Sequence, residues 1–295
     1  MNSQDLITRI ATLNVWTKGD ERAPHKPLLI FLYLGRLQAN KPRLALFSEI
    51  EAKLTELLQE FGPNRKSYHP EQPFCRLRND NIWEVSAETP CIQPQKTVLR
   101  AQHVAAGFST EVFNLLNTDM ELLDKVATFL LRQHFPDTLY QDILGAVGLD
   151  IEFFVERGNK NQRRTRDPEF RQRILQAYDY RCAICGFEVR LGHLPIALEA
   201  AHIKWFQSGG PDIETNGLAL CSLHHKLLDT GAIGISPEHR ILVSDKVNGH
   251  GGFHEWVLNF DGKFLKKPRQ SVYAPKLEFT DWHIREVFKG KYGER

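Results

Sequence analysis

The residues best suited to chemistry in this chain lie between Cys182 and Asp229. Cys182-Ala-Ile-Cys185 is followed by Gly186, a turn that lets two thiolates converge on one ion. The stretch ALCSLHHKLLDTG, residues 219–231, supplies a second half-site. Cys221 and His224 stand three apart, which puts both side chains on one face of a helix. Three thiolates and one imidazole predict a tetrahedral Cys3His site for structural Zn2+. The alternative is three buried cysteines and a surface histidine. The 35 residues between Cys185 and Cys221 exceed common finger spacings, so another element is inserted there. His225 directly follows His224, and adjacent helical residues point about 100° apart. One ion does not easily take both, so either one histidine is dispensable or the stretch serves two centres. Cys75 and Cys91 lack metal-like spacing and read as core residues.

Positioning such residues takes at least two folding units. The 295-residue chain suits two domains, and its 42% hydrophobic and 25% charged composition excludes disorder as its main state. Apolar residues recur at helical spacing in DLITRIATLNVW, KPLLIFLYLGRLQA, FSEIEAKLTELLQEFG, TEVFNLLNTDMELLDKVATFLLRQHF and DTLYQDILGAVG, with a strand-like DNIWEVSA between them. Residues 1–155 thus read as a mostly helical domain with a small sheet. Residues 156–168 read as a basic linker. From Arg157 to Arg173 it is part of a run of seven Lys/Arg against Asp167 and Glu169. That run is either a solvated linker or a phosphate-contacting one. Asp167 and Pro168 are expected to start a helix, EFRQRILQAYDYR, as its N-cap and first residue. Residues 169–295 form the second domain, ending in a short helix near DWHIREVFKG.

No apolar run is long enough to cross a bilayer; the longest is LLIFLYLG, residues 28–35. MNSQDLITRI lacks the layout of a secretory signal, so a cytoplasmic protein with reduced cysteines and no membrane partner is expected. The net charge of +2 says little about partners.

LEAAHIKWFQSGGPDIETNGLALC, inserted between the zinc half-sites, resembles the HNH nucleases. Their ββα-metal core runs strand–His–loop–Asn–helix–His, often with CxxC zinc pairs outside it. The matching positions are His202, Asn216 and His225, framed by Gly209-Gly210 and LLDTG. The resemblance implies a metal-dependent DNA endonuclease that leaves 5′-phosphate and 3′-hydroxyl ends. By it, His202 is the general base, Asn216 bridges the loop backbone, and His225 helps hold one catalytic Mg2+ or Mn2+. Many members carry an acidic metal ligand just before the first histidine, where this chain has Ala201. Glu199 shares a strand face with Ala201, and Asp229 lies one turn after His225. Both are candidates for the carboxylate that Mg2+ prefers.

The N-terminal pair HKPLLIFLYLGRL and QPFCRLRNDNIWEV, followed by an HNH unit, resembles the sulfur-binding-domain restriction endonucleases. These are type IV enzymes that cut double-stranded DNA bearing a backbone phosphorothioate. In that family a proline ring at the centre of a shallow apolar cavity meets the sulfur. Carried over, Pro73 is that ring, with His25, Lys26, Gln72 and Arg76 around it. The family often has Tyr before this proline, where this chain has Gln72, and Tyr68 stands nearby to compensate. An apolar contact favours the larger, less hydrated sulfur over oxygen, which would be left dehydrated and unpaired.

The expected architecture is therefore α+β, a mostly helical DNA-reading domain joined to a zinc-stabilised ββα-metal nuclease domain. Two readings compete with a phosphorothioate-directed enzyme. One is an HNH endonuclease directed to another modification or sequence. The other is a non-catalytic zinc-stabilised DNA-binding protein. A homodimer would allow both strands to be cut.

Overall fold

Apolar side chains all around one helix demand that other helices cover it, and residues 25–38 organise the first unit in this way. The computed structural model describes residues 1–15, 19–151 and 167–292. The chain divides into two units, Met1–Arg157 and Gly158–Arg295. The proposed linker lies outside the described residues except for Asp167 and Pro168.

The first unit runs α1 (Ser3–Ala11), α2 (His25–Gln38), β1 (Ala45–Leu46), α3 (Phe47–Phe61), α4 (Glu71–Arg76), β2 (Trp83–Val85), α5 (Lys96–Ala101), β3 (Ala105–Phe108), α6 (Thr110–Thr118), α7 (Met120–His134) and α8 (Tyr140–Val147). Helix α2 buries every residue from Lys26 to Gly35 and packs against α3, α4, α7 and α8. Truncating one of its fully buried aromatics, such as Phe31, should cost about 3–5 kcal/mol. The sheet is antiparallel in the order β1-β3-β2, with Ala45 opposite Ala106 and Trp83 opposite Phe108. The helical spacing over residues 110–135 is carried by two helices, because Asp119 turns its side chain back to accept from the amide of Leu122 and caps α7.

The expectation of reduced, separate cysteines in this unit is corrected. Cys75 on α4 and Cys91, 16 residues later, form a buried disulfide. Spacing gave no sign of it, because the chain leaves α4, passes through β2 and returns before the two cysteines meet.

The second unit runs α9 (Phe170–Ala177), β4 (Arg190–Leu191), β5 (Leu194–Pro195), β6 (Leu198–His202), β7 (Gly217–Cys221), α10 (Ser222–Asp229), β8 (Ile233–Ile235), β9 (Ile241–Val243), α11 (Phe253–Trp256) and α12 (Leu277–Glu286). Asp167 and Pro168 precede α9 rather than open it. Glu169 occupies the N-cap position, and the Asp167 carboxylate accepts from its amide at 2.8 Å. Strands β6 and β7 pair antiparallel with His202 opposite Gly217, and α10 follows directly, completing a ββα unit. A Cβ at Gly217 would lie 2.2 Å from Ile174 and 3.0 Å from Phe170, so glycine is what lets α9 lie against this strand. The core gathers Ile174, Leu175, Leu198, Ala201, Leu218, Leu220 and Leu228 beneath the ββα unit.

Candidate functional site

Cys182 and Cys185 lie on the turn after α9, while Cys221 ends β7 and His224 lies in the first turn of α10. Their ligand atoms all fall within 4.8 Å of one another. The Cys185 and Cys221 sulfurs are 3.9 Å apart, and His224 Nδ1 is 3.8 Å from Cys182 Sγ and 3.1 Å from Cys221 Sγ. Zn–S bonds of about 2.3 Å at a tetrahedral angle separate two sulfurs by about 3.8 Å, so the donors fit Zn2+. The other nitrogen of His224 meets the carbonyl of Trp256 at 3.1 Å, which leaves Nδ1 as the ligand atom. The amide of Phe187 donates to Cys185 Sγ at 3.4 Å.

His225 points elsewhere, into a pair of carboxylates. Its Nδ1 is 2.6 Å from Glu199 Oε2, and its Nε2 is 3.3 Å from Asp229 Oδ2. Burial alone would lower its pKa, but Asp229 and Glu199 outweigh burial and raise it to about 10. The hydroxyl of Ser222 donates to the remaining oxygen of Glu199 at 2.6 Å. The expected set of His225, Glu199 and Asp229 is thus brought together with one difference. The carboxylates bond opposite ring nitrogens, so a single ring nitrogen cannot share an ion with both. Glu199 keeps 42% of its side chain exposed and Asp229 only 2%.

His202 ends β6. Its ring stacks on Phe170 with centroids 4.2 Å apart, and its Nε2 lies 2.7 Å from Asp212 Oδ1. Asn216 is fully buried and ties the loop to itself. Its carboxamide accepts from the Lys204 amide at 2.8 Å and donates to the carbonyls of Lys204 and Pro211 at 3.0 and 2.9 Å. Its own carbonyl accepts from the amide of Ile203, the residue after His202. A Cβ at Gly210 would sit 1.8 Å from the Lys204 carbonyl, so the loop closes only over a glycine there. Asp212 and Phe170 escaped the sequence reading. An aspartate in a Gly/Pro loop and a phenylalanine opening a helix have ordinary local explanations, and only the fold brings them to His202.

In the first unit, α2 packs against α4, bringing the His-Lys-Pro stretch to the Gln-Pro-Phe stretch. His25 is half-buried, and its pKa is lowered by burial first, then by His69 and Arg65, with Glu71 opposing. Gln72 is half-buried and accepts from the guanidinium of exposed Arg76 at 2.9 Å. Pro73 is buried within α4, so at most a small face of its ring can meet a ligand. Tyr68 is half-buried, with its hydroxyl 3.4 Å from the Pro63 carbonyl. Lys26, expected beside the Pro73 ring, has its ammonium engaged within the unit. Its ammonium lies 2.5 Å from Asp80 Oδ2 and 2.6 Å from the Asn14 carbonyl, and the residue is 9% exposed. Removing one partner from a buried pair of this kind costs about 3–5 kcal/mol, which makes Lys26 a structural tie. Arg65, His69 and Glu71, which the sequence reading did not single out, lie near enough to His25 to act on its charge. His69 Nδ1 is 2.9 Å from Glu71 Oε1.

Residues 3–152, 150 of the 295, match the family described as ScoMcrA-like, DNA sulfur-binding domain. The chain belongs to this family. Residues 182–236 match the HNH endonuclease family, so the sulfur-binding family member carries an HNH nuclease domain in its second unit. No curated protein matches the chain. Among solved structures, the sulfur-binding domain of SprMcrA in complex with phosphorothioated DNA is 20% identical, with a TM-score of 0.43 over 50% of this chain and 95% of that one. The ScoMcrA sulfur-binding domain in complex with phosphorothioated DNA is 22% identical, with a TM-score of 0.41 over 48% of this chain and 94% of that one. The structure of the type IV phosphorothioation-dependent restriction endonuclease ScoMcrA matches at 22% identity and a TM-score of 0.40, over 48% of this chain but only 31% of its own. At these values the likeness carries no information about ligands. Among the described residues, no helix is long and apolar enough to cross a membrane.

Proposed function

We propose that this protein is a type IV restriction endonuclease that binds phosphorothioate-modified double-stranded DNA through its first unit and hydrolyses phosphodiester bonds with its second. The observation that carries this reading is the union, in one chain, of a sulfur-binding family domain with a ββα unit holding His202, Asn216 and His225.

His202 is the general base. A carboxylate only accepts, so with Nε2 hydrogen-bonded to Asp212 the ring keeps its proton there, and Nδ1 is the nitrogen able to take a proton from water. Asn216 holds the loop that returns from His202 to β7. A divalent cation, Mg2+ or Mn2+, supplies positive charge at the leaving 3′ oxygen when bound. The donor chemistry of His225 with Glu199 suits such an ion, an imidazole beside an accessible carboxylate. Buried Asp229 holds the other nitrogen of that ring and fixes its orientation. Zn2+ at Cys182, Cys185, Cys221 and His224 sets the rotation of α10, and with it the aim of His225. In the first unit, Pro73 offers the apolar contact to sulfur, with His25, Gln72 and Arg76 toward the flanking backbone and Tyr68 at the rim.

Incubating the protein and Mn2+ with plasmids that differ only in phosphorothioate content tests this reading. Breaks confined to the modified plasmid are expected. Equal cutting of both would reassign the first unit to another mark or sequence. Binding without cutting of either would make the protein a zinc-stabilised DNA-binding protein.

A further inference from the structure

The carboxylate against His202 is itself built into a network. Asp212 Oδ2 accepts from the backbone amide of Asp167 at 2.7 Å, while Oδ1 holds His202. Arg173 on α9 then clamps three neighbours. It donates to the Asp167 carboxylate at 2.6 Å, to the backbone carbonyl of Asp212 at 2.8 Å and to Glu214 at 2.8 Å. The Asp212 and His202 side chains are 11% and 13% exposed, so their bond is shielded from competing water. Phe170, on the same helix as Arg173, covers one face of the His202 ring. Phe170 and Arg173 of α9 and the amide of Asp167, three residues before the helix, thus act on the ring and its carboxylate, and Phe206 of the loop lies against the ring with centroids 6.1 Å apart.

We propose that Asp212 is a positioning residue for His202, held in place by the Asp167 amide and the Arg173 clamp. The inference rests on His202 being the general base. Asp212 fixes the tautomer that keeps the proton on Nε2, and it stabilises the imidazolium formed when Nδ1 takes a proton from water. A half-turn about the Cβ–Cγ bond would exchange Nε2 with Cε1 and Nδ1 with Cδ2, and stacking on Phe170 does not oppose it. The hydrogen bond to Asp212 does.

The test uses full-length protein in two measurements. In single-turnover cleavage of phosphorothioate-bearing duplex with Mn2+, Asp212→Asn should slow cutting by about 100-fold. Its affinity for the duplex, its zinc content and its melting temperature should match wild type. In the His202→Ala background, Asp212→Asn should cause no further loss, since it acts through that ring. In long-range 1H–15N spectra, His202 should show the Nε2–H tautomer in wild type and lose that single state in Asp212→Asn. Asp212→Ser serves the same measurements if the asparagine variant fails to fold. Cutting within threefold of wild type, or an equal further loss in the His202→Ala background, would overturn the proposal. An unaltered tautomer in Asp212→Asn would overturn it as well. Cutting by His202→Ala at the wild-type rate would instead refute the general-base reading itself, while the spectra still report whether Asp212 holds the ring.

Discussion

Two centres share helix α10, and they are built on opposite principles. The first is closed: Cys182, Cys185, Cys221 and His224 direct their ligand atoms at one another, and the second nitrogen of His224 is taken by a backbone carbonyl. The second is open on one side. His225 is held by the buried Asp229 but faces Glu199, whose side chain is 42% exposed. A closed tetrahedral set suits a structural ion, and an accessible carboxylate suits an ion that must meet substrate. One step along a helix, about 100°, separates the two. Fixing the first centre therefore fixes the direction of the second.

The largest effect should come from opening the closed centre. Cys185→Ser should abolish zinc binding and unfold residues 169–292, because the binding energy of a structural zinc, of order 10 kcal/mol, is folding energy. Zinc analysis with thermal unfolding checks this, and a folded, cutting variant would erase the contrast between the centres. Glu199→Gln should lower the cutting rate by about 100-fold or more at fixed Mn2+ without changing zinc content. Asp229→Asn, acting one bond further out, should weaken Mn2+ activation by about 10- to 100-fold. Larger loss in Asp229→Asn than in Glu199→Gln would exchange their roles.

The same contrast has a pH signature. His225, raised to about 10, carries a proton at neutral pH, and a cation binding to that ring must displace it. Half-activating Mn2+ should therefore fall as pH rises through neutrality, by up to about tenfold per unit, while zinc content stays constant. A pH-independent Mn2+ requirement would place the ion away from this ring. Gly217→Ala should cost about 1–3 kcal/mol by pushing α9 off β7, and should slow cutting by shifting Phe170 beneath His202. The smallest effect is expected at Pro73. Trimming the ring to Ala should reduce discrimination between sulfur and oxygen duplexes by about 1 kcal/mol and leave both metal centres untouched. Competition binding reads it.

The ββα unit was legible because its chemistry follows the chain closely. The CxxC turn, the Cys–His pair and the His–Asn–His order all depend on spacing within single elements or one hairpin. Glu199 was reachable by strand alternation and Asp229 by helical periodicity. What escaped depends on contacts between elements. Asp212 meets His202 only because the Asn216-tied loop folds back, and Phe170 does so only because Gly217 admits α9. In the first unit, the central strand β3 reads Ala-Ala-Gly-Phe, with no β-branched residue to mark it. The pairing of Cys75 with Cys91 and the burial of Lys26 against Asp80 likewise arise from tertiary packing. The masking of a helix break at Asp119 has a local cause, since the apolar spacing runs on through a capping residue.

The claim that two adjacent histidines serve two centres is tested most directly by measuring zinc content and phosphorothioate-dependent cutting on the same preparations of His224→Ala and His225→Ala. The account predicts that His224→Ala loses zinc and the folded nuclease unit. It predicts that His225→Ala keeps one zinc per chain and a folded unit but loses cutting. Loss of zinc from His225→Ala, or full cutting by it, would contradict the account.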